Sequence, residues 1–110
     1  MPEAVLRGDV WWADFDPSVG GEVRKIRPAV VVSNNVANRR LNRVQVVPLT
    51  TQTDRVYASE ALIAVGDRMS KAMADQLTTI AKERLGRRLG QLSTADLAAV
   101  ERAMRVQLGL

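Results

Sequence analysis

The sequence predicts an α+β domain: a small, mostly antiparallel sheet curled into a barrel, followed by one long C-terminal helix. Three observations predict it. Short apolar and β-branched runs alternate with turn-forming clusters all the way to Leu92. A clear helical period begins after Ser93, where Leu97, Val100, Met104 and Leu108 fall on one stripe. The 110 residues, 1–110, make one domain large enough to bury a core without disulfide or metal staples.

Met1 to Arg7 reads as a loose lead-in, too short and too charged for a signal peptide. Gly8 to Phe15 is a strand with apolar side chains on both faces, so it should be covered on both, with Trp11 and Trp12 in the core. Asp16-Pro17-Ser18 breaks it and opens a loop that runs to Arg27. Ala29 to Ser33 is a strand buried on both faces, and Pro28, lacking an N–H, belongs at its first residue. Asn34 to Leu41 forms one or two helical turns, with Asn34 or Asn35 as N-cap. Arg43 to Thr50 is the next strand, and Pro48 argues for an edge or a bulge near its end.

Tyr57 to Val65 is a weaker strand closed by Gly66-Asp67. Lys71 to Ile80 mixes helical and strand signals, and two short strands with an irregular joint at Ala74-Asp75-Gln76 reconcile them. Lys82 to Leu85 is a helical turn ended by Gly86, and Arg87 to Leu92 a short strand. Ser93 caps the helix Thr94 to Leu108, with Asp96 three residues on. That helix carries Ala103 and Val106 besides its stripe, more apolar surface than one small sheet covers, which predicts a homodimer.

Composition narrows the chemistry. There is no cysteine and no histidine, which removes disulfides, thiolate and imidazole metal sites, Ser-His-Asp and Cys-His triads, and any nuclease built on an imidazole pair. No apolar run approaches the ~20 residues that span a membrane, and a reducing cytoplasm suits the chain. The net charge is +4, from 16 basic and 12 acidic residues. Residues 20–55 hold Arg24, Lys25, Arg27, Arg39, Arg40, Arg43 and Arg55 against Glu22 and Asp54, a local +5. Such a patch favours nucleic acid or an acidic protein partner over a merely solvated face.

Within that patch, Pro28 pushes Arg27 toward extended backbone and holds its guanidinium at the mouth of a rigid strand. A planar fork in that place suits phosphate, although it could equally cap the strand and pair with a surface carboxylate. Glu22 and Arg27 on the loop, with the hydroxyls of Thr50-Thr51 at a strand end, form a base, a cation and hydrogen-bond donors if the two edges meet. That set could cleave RNA without metal, the 2′-OH attacking the adjacent phosphorus. Asp14-x-Asp16, with Asp75 or Glu22, could instead hold Mg²⁺, but Asp-Pro is a common turn start. Arg84 with Arg87-Arg88 reads as a solvated rim.

Six segments in order over nearly the whole chain resemble the MazF/PemK family of bacterial toxins, which includes Kid. They are Arg-Gly-Asp-Val-Trp-Trp-Ala-Asp-Phe-Asp-Pro (7–17), Gly-Gly-Glu (20–22), Arg-Pro-Ala-Val-Val-Val-Ser-Asn (27–34), Val-Val-Pro-Leu-Thr (46–50), Asp-Gln-Leu-Thr-Thr-Ile (75–80) and Arg-Leu-Gly-Arg-Arg-Leu-Gly-Gln-Leu (84–92). The resemblance implies an SH3-like, PemK-type barrel, a homodimer, and a cofactor-free, metal-independent, sequence-specific endoribonuclease leaving 2′,3′-cyclic phosphate and 5′-OH ends. It also implies a cognate antitoxin, for which an acidic, disordered C-terminal segment lying along the basic groove makes physical sense.

On this resemblance Arg27 and Thr50 match catalytic positions, and Glu22 a loop carboxylate implicated in some members. Asn34, Asp75 and Gln76 match positions that contact RNA; Arg24, Lys25, Thr51 and Gln52 join them as RNA-binding candidates from the basic loop and the hydroxyl cluster. Two departures stand out. Leu77-Thr78-Thr79-Ile80-Ala81 lacks the Arg and Asp common after the Gln, and Met73 replaces the Arg that Kid-type members use before the acid. The Kid assignment of acid and base therefore does not transfer. A CcdB-type, gyrase-binding toxin of the same fold class, or a non-catalytic RNA- or antitoxin-binding homologue, are the rival readings.

Overall fold

The computed structural model describes residues 3–15 and 26–110. Seven strands, β1 (Asp9–Asp14), β2 (Ile26–Val31), β3 (Arg43–Thr50), β4 (Glu60–Val65), β5 (Arg68–Met73), β6 (Thr78–Ala81) and β7 (Leu85–Gln91), form one antiparallel sheet in the order β4-β5-β3-β2-β1-β7. Helix α1 (Asn35–Arg40) joins β2 to β3, and α2 (Thr94–Leu108) follows the last strand. β3 is the axis of the fold. It pairs with β2 along one edge, while β6 and β5, joined through a 3-10 turn at Ala74–Gln76, share the other in succession.

Strand alternation sends apolar side chains to both faces, and each face has its own core. Val10, Val30, Val47, Leu49 and Ile63 meet α2 through Val100 and Ala103 on one side. Trp11, Ala13, Ala29, Val31, Val44, Val46 and Ile80 pack on the other. The run Ala29–Val32 is buried throughout, as a strand covered on both faces must be. Each fully buried Val contributes on the order of 1.5–3 kcal/mol, so this central run is a large share of the domain's stability.

The helices follow their caps. Asn34 Oδ1 accepts from the Ala37 N–H at 2.8 Å, and Ser93 Oγ from the Asp96 N–H at 3.1 Å. Gly109, at φ 72°, closes α2 in the left-handed conformation that a side chain would strain. Toward the end of α2, however, Leu108 of the stripe and Val106 on the other side of the helix are each about half exposed.

Several boundaries differ from expectation. β2 begins at Ile26 and crosses Pro28, since pairing with β1 extends from Val10↔Val30 to Asp14↔Ile26. Pro48 sits neither at an edge nor in a bulge but in the gap between two ladders, after Val46↔Thr78 and before Leu49↔Ala72. β4 starts only at Glu60, whose carboxylate and N–H are tied to Tyr57 in a turn. β7 starts at Leu85 and takes in Gly86, the 3-10 turn ending at Arg84. Arg88 is no solvated rim: it reaches Asp9, buried in β1, whose carboxylate also accepts from the Leu6 N–H and Gln91. A buried carboxylate needs such partners to stay folded in. Among the described residues no helix is long and apolar enough to cross a membrane.

Candidate active site

Where β2 and β3 separate, a cleft of about 510 Å³ opens. The cause is Pro28. The Val32 N–H donates to the Gln45 carbonyl on β3, and the two-residue alternation of a strand puts the Pro28 nitrogen on that same edge. With no proton to donate there, the β2–β3 ladder stops at Ala29↔Pro48. Beyond that point β3 leaves for β5, pairing Leu49 with Ala72 and Thr50 with Lys71. Two further steps of the lost register would set Pro28 against Leu49 and Arg27 against Thr50, and all four line the cleft. Arg27 and Thr50 are thus an unzipped pair, on facing edges of one wedge, with room between them for a ligand.

The cleft is cationic. Arg27 and Arg68 both line it, no carboxylate of the described residues does, and among those residues Arg27 forms no ion pair. Thr50 Oγ1 accepts from the Gln52 N–H at 3.3 Å, which leaves its own proton to donate outward. Thr51 adds a second hydroxyl at the rim, and Ser70 a third, nearly buried. Apolar walls come from Trp12, Pro28, Leu49, Val65 and Leu89. A site with two guanidiniums, hydroxyl donors and an apolar floor fits a phosphate carrying a planar, partly apolar group.

The other candidates lie elsewhere. Glu22, Arg24, Lys25 and Asp16 fall outside the described residues. Gln52 contributes its backbone N–H to Thr50 and has an exposed side chain. Asn34 spends its carboxamide oxygen capping α1, and Asp75 and Gln76 are exposed on the 3-10 joint between β5 and β6; none of the three lines the cleft. Among the described residues no three metal-ligating side chains cluster, so Asp14 and Asp75 do not come together with a third.

Three lining residues escape sequence reasoning. Adjacent in β1, Trp11 and Trp12 face opposite ways; Trp11 is core, but Trp12 is half-buried at the cleft, a correction to the expectation that both are core. The alternation itself was the signal. Arg68 and Ser70 arrive only because the hairpin turning at Gly66, whose φ of 62° the tight turn requires, lays β5 beside the end of β3.

The chain is also similar to known proteins. Residues 6–108 match the profile of the PemK-like, MazF-like toxins of type II toxin–antitoxin systems. Endoribonuclease MazF9 of Mycobacterium tuberculosis is 42% identical, over 94% of this chain and 96% of its own length. The endoribonuclease toxin MazF of Escherichia coli K12 is 34% identical, over 93% and 92%. A mycobacterial endoribonuclease solved in complex with its cognate antitoxin superposes with a TM-score of 0.79 at 30% identity, covering 96% of this chain and 95% of that one. A chain that carries the family's sequence from end to end, and opens its sheet at the Arg-Pro where the resemblance placed a catalytic residue, belongs to the PemK-like, MazF-like toxins of type II toxin–antitoxin systems.

Proposed function

We propose that this chain is the toxin of such a pair, an endoribonuclease that cuts single-stranded RNA, messenger RNA among it, and so arrests translation under stress. One observation carries the reading: Arg27 and Thr50 line opposite edges of the wedge that Pro28 opens. The substrate's scissile phosphate lies between them. Its 2′-OH attacks the neighbouring phosphorus, forming the 2′-O–P bond as the P–O5′ bond breaks, and leaves a 2′,3′-cyclic phosphate and a 5′-OH. A base takes the 2′ proton, a role for which Glu22 is the candidate, and a proton reaches the departing 5′ oxygen. The Arg27 fork stabilises charge on the non-bridging oxygens while the Thr50 hydroxyl donates to the same group. Positioning and electrostatics are most of what phosphoryl chemistry asks, and no cofactor or metal enters this scheme.

Arg24, Lys25, Thr51, Gln52, Asn34, Asp75 and Gln76 serve RNA binding. The cytoplasm, where RNA is, is the site of action. A cognate antitoxin covers the cleft with an acidic segment, a reading supported by the solved mycobacterial relative in complex with its antitoxin and by the uncompensated guanidiniums.

The test is incubation of pure protein with single-stranded RNA in EDTA, followed by analysis of the ends. Cyclic phosphate and 5′-OH ends are expected. Rescue of EDTA-treated protein by Mg²⁺ alone would remove the metal-free scheme, and intact RNA with tight gyrase binding would put a CcdB-like poison in its place.

A further inference from the structure

The floor of the cleft holds a hydroxyl with nothing to do. Along β5, Ala72, Ser70 and Arg68 share one face by strand alternation, running from core to rim. Ala72 is fully buried in the core, Arg68 is exposed at the mouth, and Ser70, at 6% exposure, lies between them. Ser70 is paired in register with Ile63, itself a core residue, so an apolar side chain would suit the position. Among the described residues the Ser70 hydroxyl takes part in no hydrogen bond. Nor is it sealed in: the sealed, unpartnered side-chain atom of the described residues is Trp11 Nε1, on the other face. A hydroxyl that no protein group satisfies, and that the cleft still reaches, is free to bond what enters the cleft.

What the ligand presents to Ser70 follows from the walls. Arg68, the exposed end of that face, is paired with Val65 at the mouth, whereas Ser70 is paired with buried Ile63 and lines the cleft together with Leu49, Leu89 and Trp12. A phosphate would remain at the mouth with the cations. The part that reaches an apolar floor beside an indole is a base, which single-stranded RNA can splay out and which aromatic side chains stack. On the endoribonuclease reading of this cleft, we infer that Ser70 is a specificity-determining residue: its hydroxyl hydrogen-bonds the polar edge of the base inserted beside the scissile phosphate. A hydroxyl both donates and accepts, so the bond selects by shape and edge together with the Trp12 face.

Short oligoribonucleotides made non-cleavable by 2′-O-methylation, with each base tried in turn at each position, measure this by the quenching of tryptophan fluorescence. The parent protein is expected to prefer one base at one position next to the cut site. Ser70→Ala is expected to lose roughly 10-fold of that preference while its affinity for the non-preferred bases stays within about two-fold. Ser70→Thr, which keeps the hydroxyl, retains the preference. Thermal unfolding supplies the control: removing an unpaired hydroxyl leaves Tm unchanged or raised, whereas a hydroxyl holding the sheet together would lower it. Equal base preference in parent and Ser70→Ala, or a lowered Tm with the preference intact, overturns the inference. Base-selective binding without cleavage of unmodified RNA would sink the nuclease reading and leave Ser70's role standing.

Discussion

Thr50 lies directly across from Lys71 in the β3–β5 ladder, and the Lys71 ammonium turns to Glu60, 3.0 Å away on β4. Both partners of that ion pair are about nine-tenths buried, and Lys71 also donates to the Arg55 carbonyl at 2.7 Å. The strand paired with the Thr50 end of β3 is thereby anchored by a charge pair that water barely reaches. Glu60→Gln leaves the ammonium with the Arg55 carbonyl and no counter-charge, and stability is expected to fall by about 3 kcal/mol in urea unfolding. Glu60→Leu with Lys71→Met removes both charges and is expected to recover most of the loss.

The Arg27 guanidinium makes no hydrogen bond or ion pair with a described residue, so its removal tests chemistry with little effect on folding. Arg27→Ala is expected to lose at least ~10²-fold in single-turnover cleavage, comparable to losing a transition-state donor. Arg27→Lys recovers little, because a point charge does not reproduce the fork. Arg24→Ala and Lys25→Ala instead weaken RNA binding and flatten its salt dependence, with the bound-state rate nearly intact. Parental cleavage by folded Arg27→Ala would show that the site is elsewhere.

Thr50→Val keeps the β-branched shape that the end of β3 accepts and removes the hydroxyl. Circular dichroism and RNA affinity are expected to stay native while the single-turnover rate falls by ~10²-fold. A drop in affinity of the same size as the drop in rate would reassign Thr50 to binding.

Pro28→Ala asks whether the missing N–H holds the cleft open. The restored donor points toward β3 and is expected to extend the ladder toward Leu49, narrowing the wedge. Hydrogen exchange reads the new amide as protected, and cleavage falls by up to ~10²-fold through misplacement of Arg27 alone. An unprotected amide at position 28 with full activity would make the proline incidental.

Assembly is tested at the end of α2. Leu108 on the apolar stripe and Val106 on the other side of the helix are each about half exposed. Light scattering at micromolar concentration is expected to give twice the 12.1 kDa chain mass, and Val106→Asp with Leu108→Asp to shift it toward the monomer. A parent that already scatters as a monomer without antitoxin would remove the dimer.

Local signals were the legible ones. The bounds of β3 and α2, the caps Asn34 and Ser93, and the joint at Ala74–Gln76 are all written in neighbouring residues. Pro28 was legible as a ladder breaker but not as its position: β1 pairing, set by a distant segment, carries β2 back across it. Arg27 and Thr50 were visible as chemistry, yet their opposition depends on a register that resides in two strands at once. Ser70 and Arg68 carry no motif at all. Their place comes from a hairpin landing beside β3, a tertiary fact that no window of sequence contains.

The grip of Arg88 and Gln91 on Asp9 also fixes when such a protein can become active. These contacts join residues 79 and 82 positions apart, and β1 is sandwiched between β2 and β7. A chain emerging from the ribosome therefore exposes Arg27 and Thr50 long before the strand that completes their sheet exists, and contacts this distant form slowly. Leu89 of β7 is one wall of the cleft, so the cleft is complete only once that last strand has been made and has paired with β1.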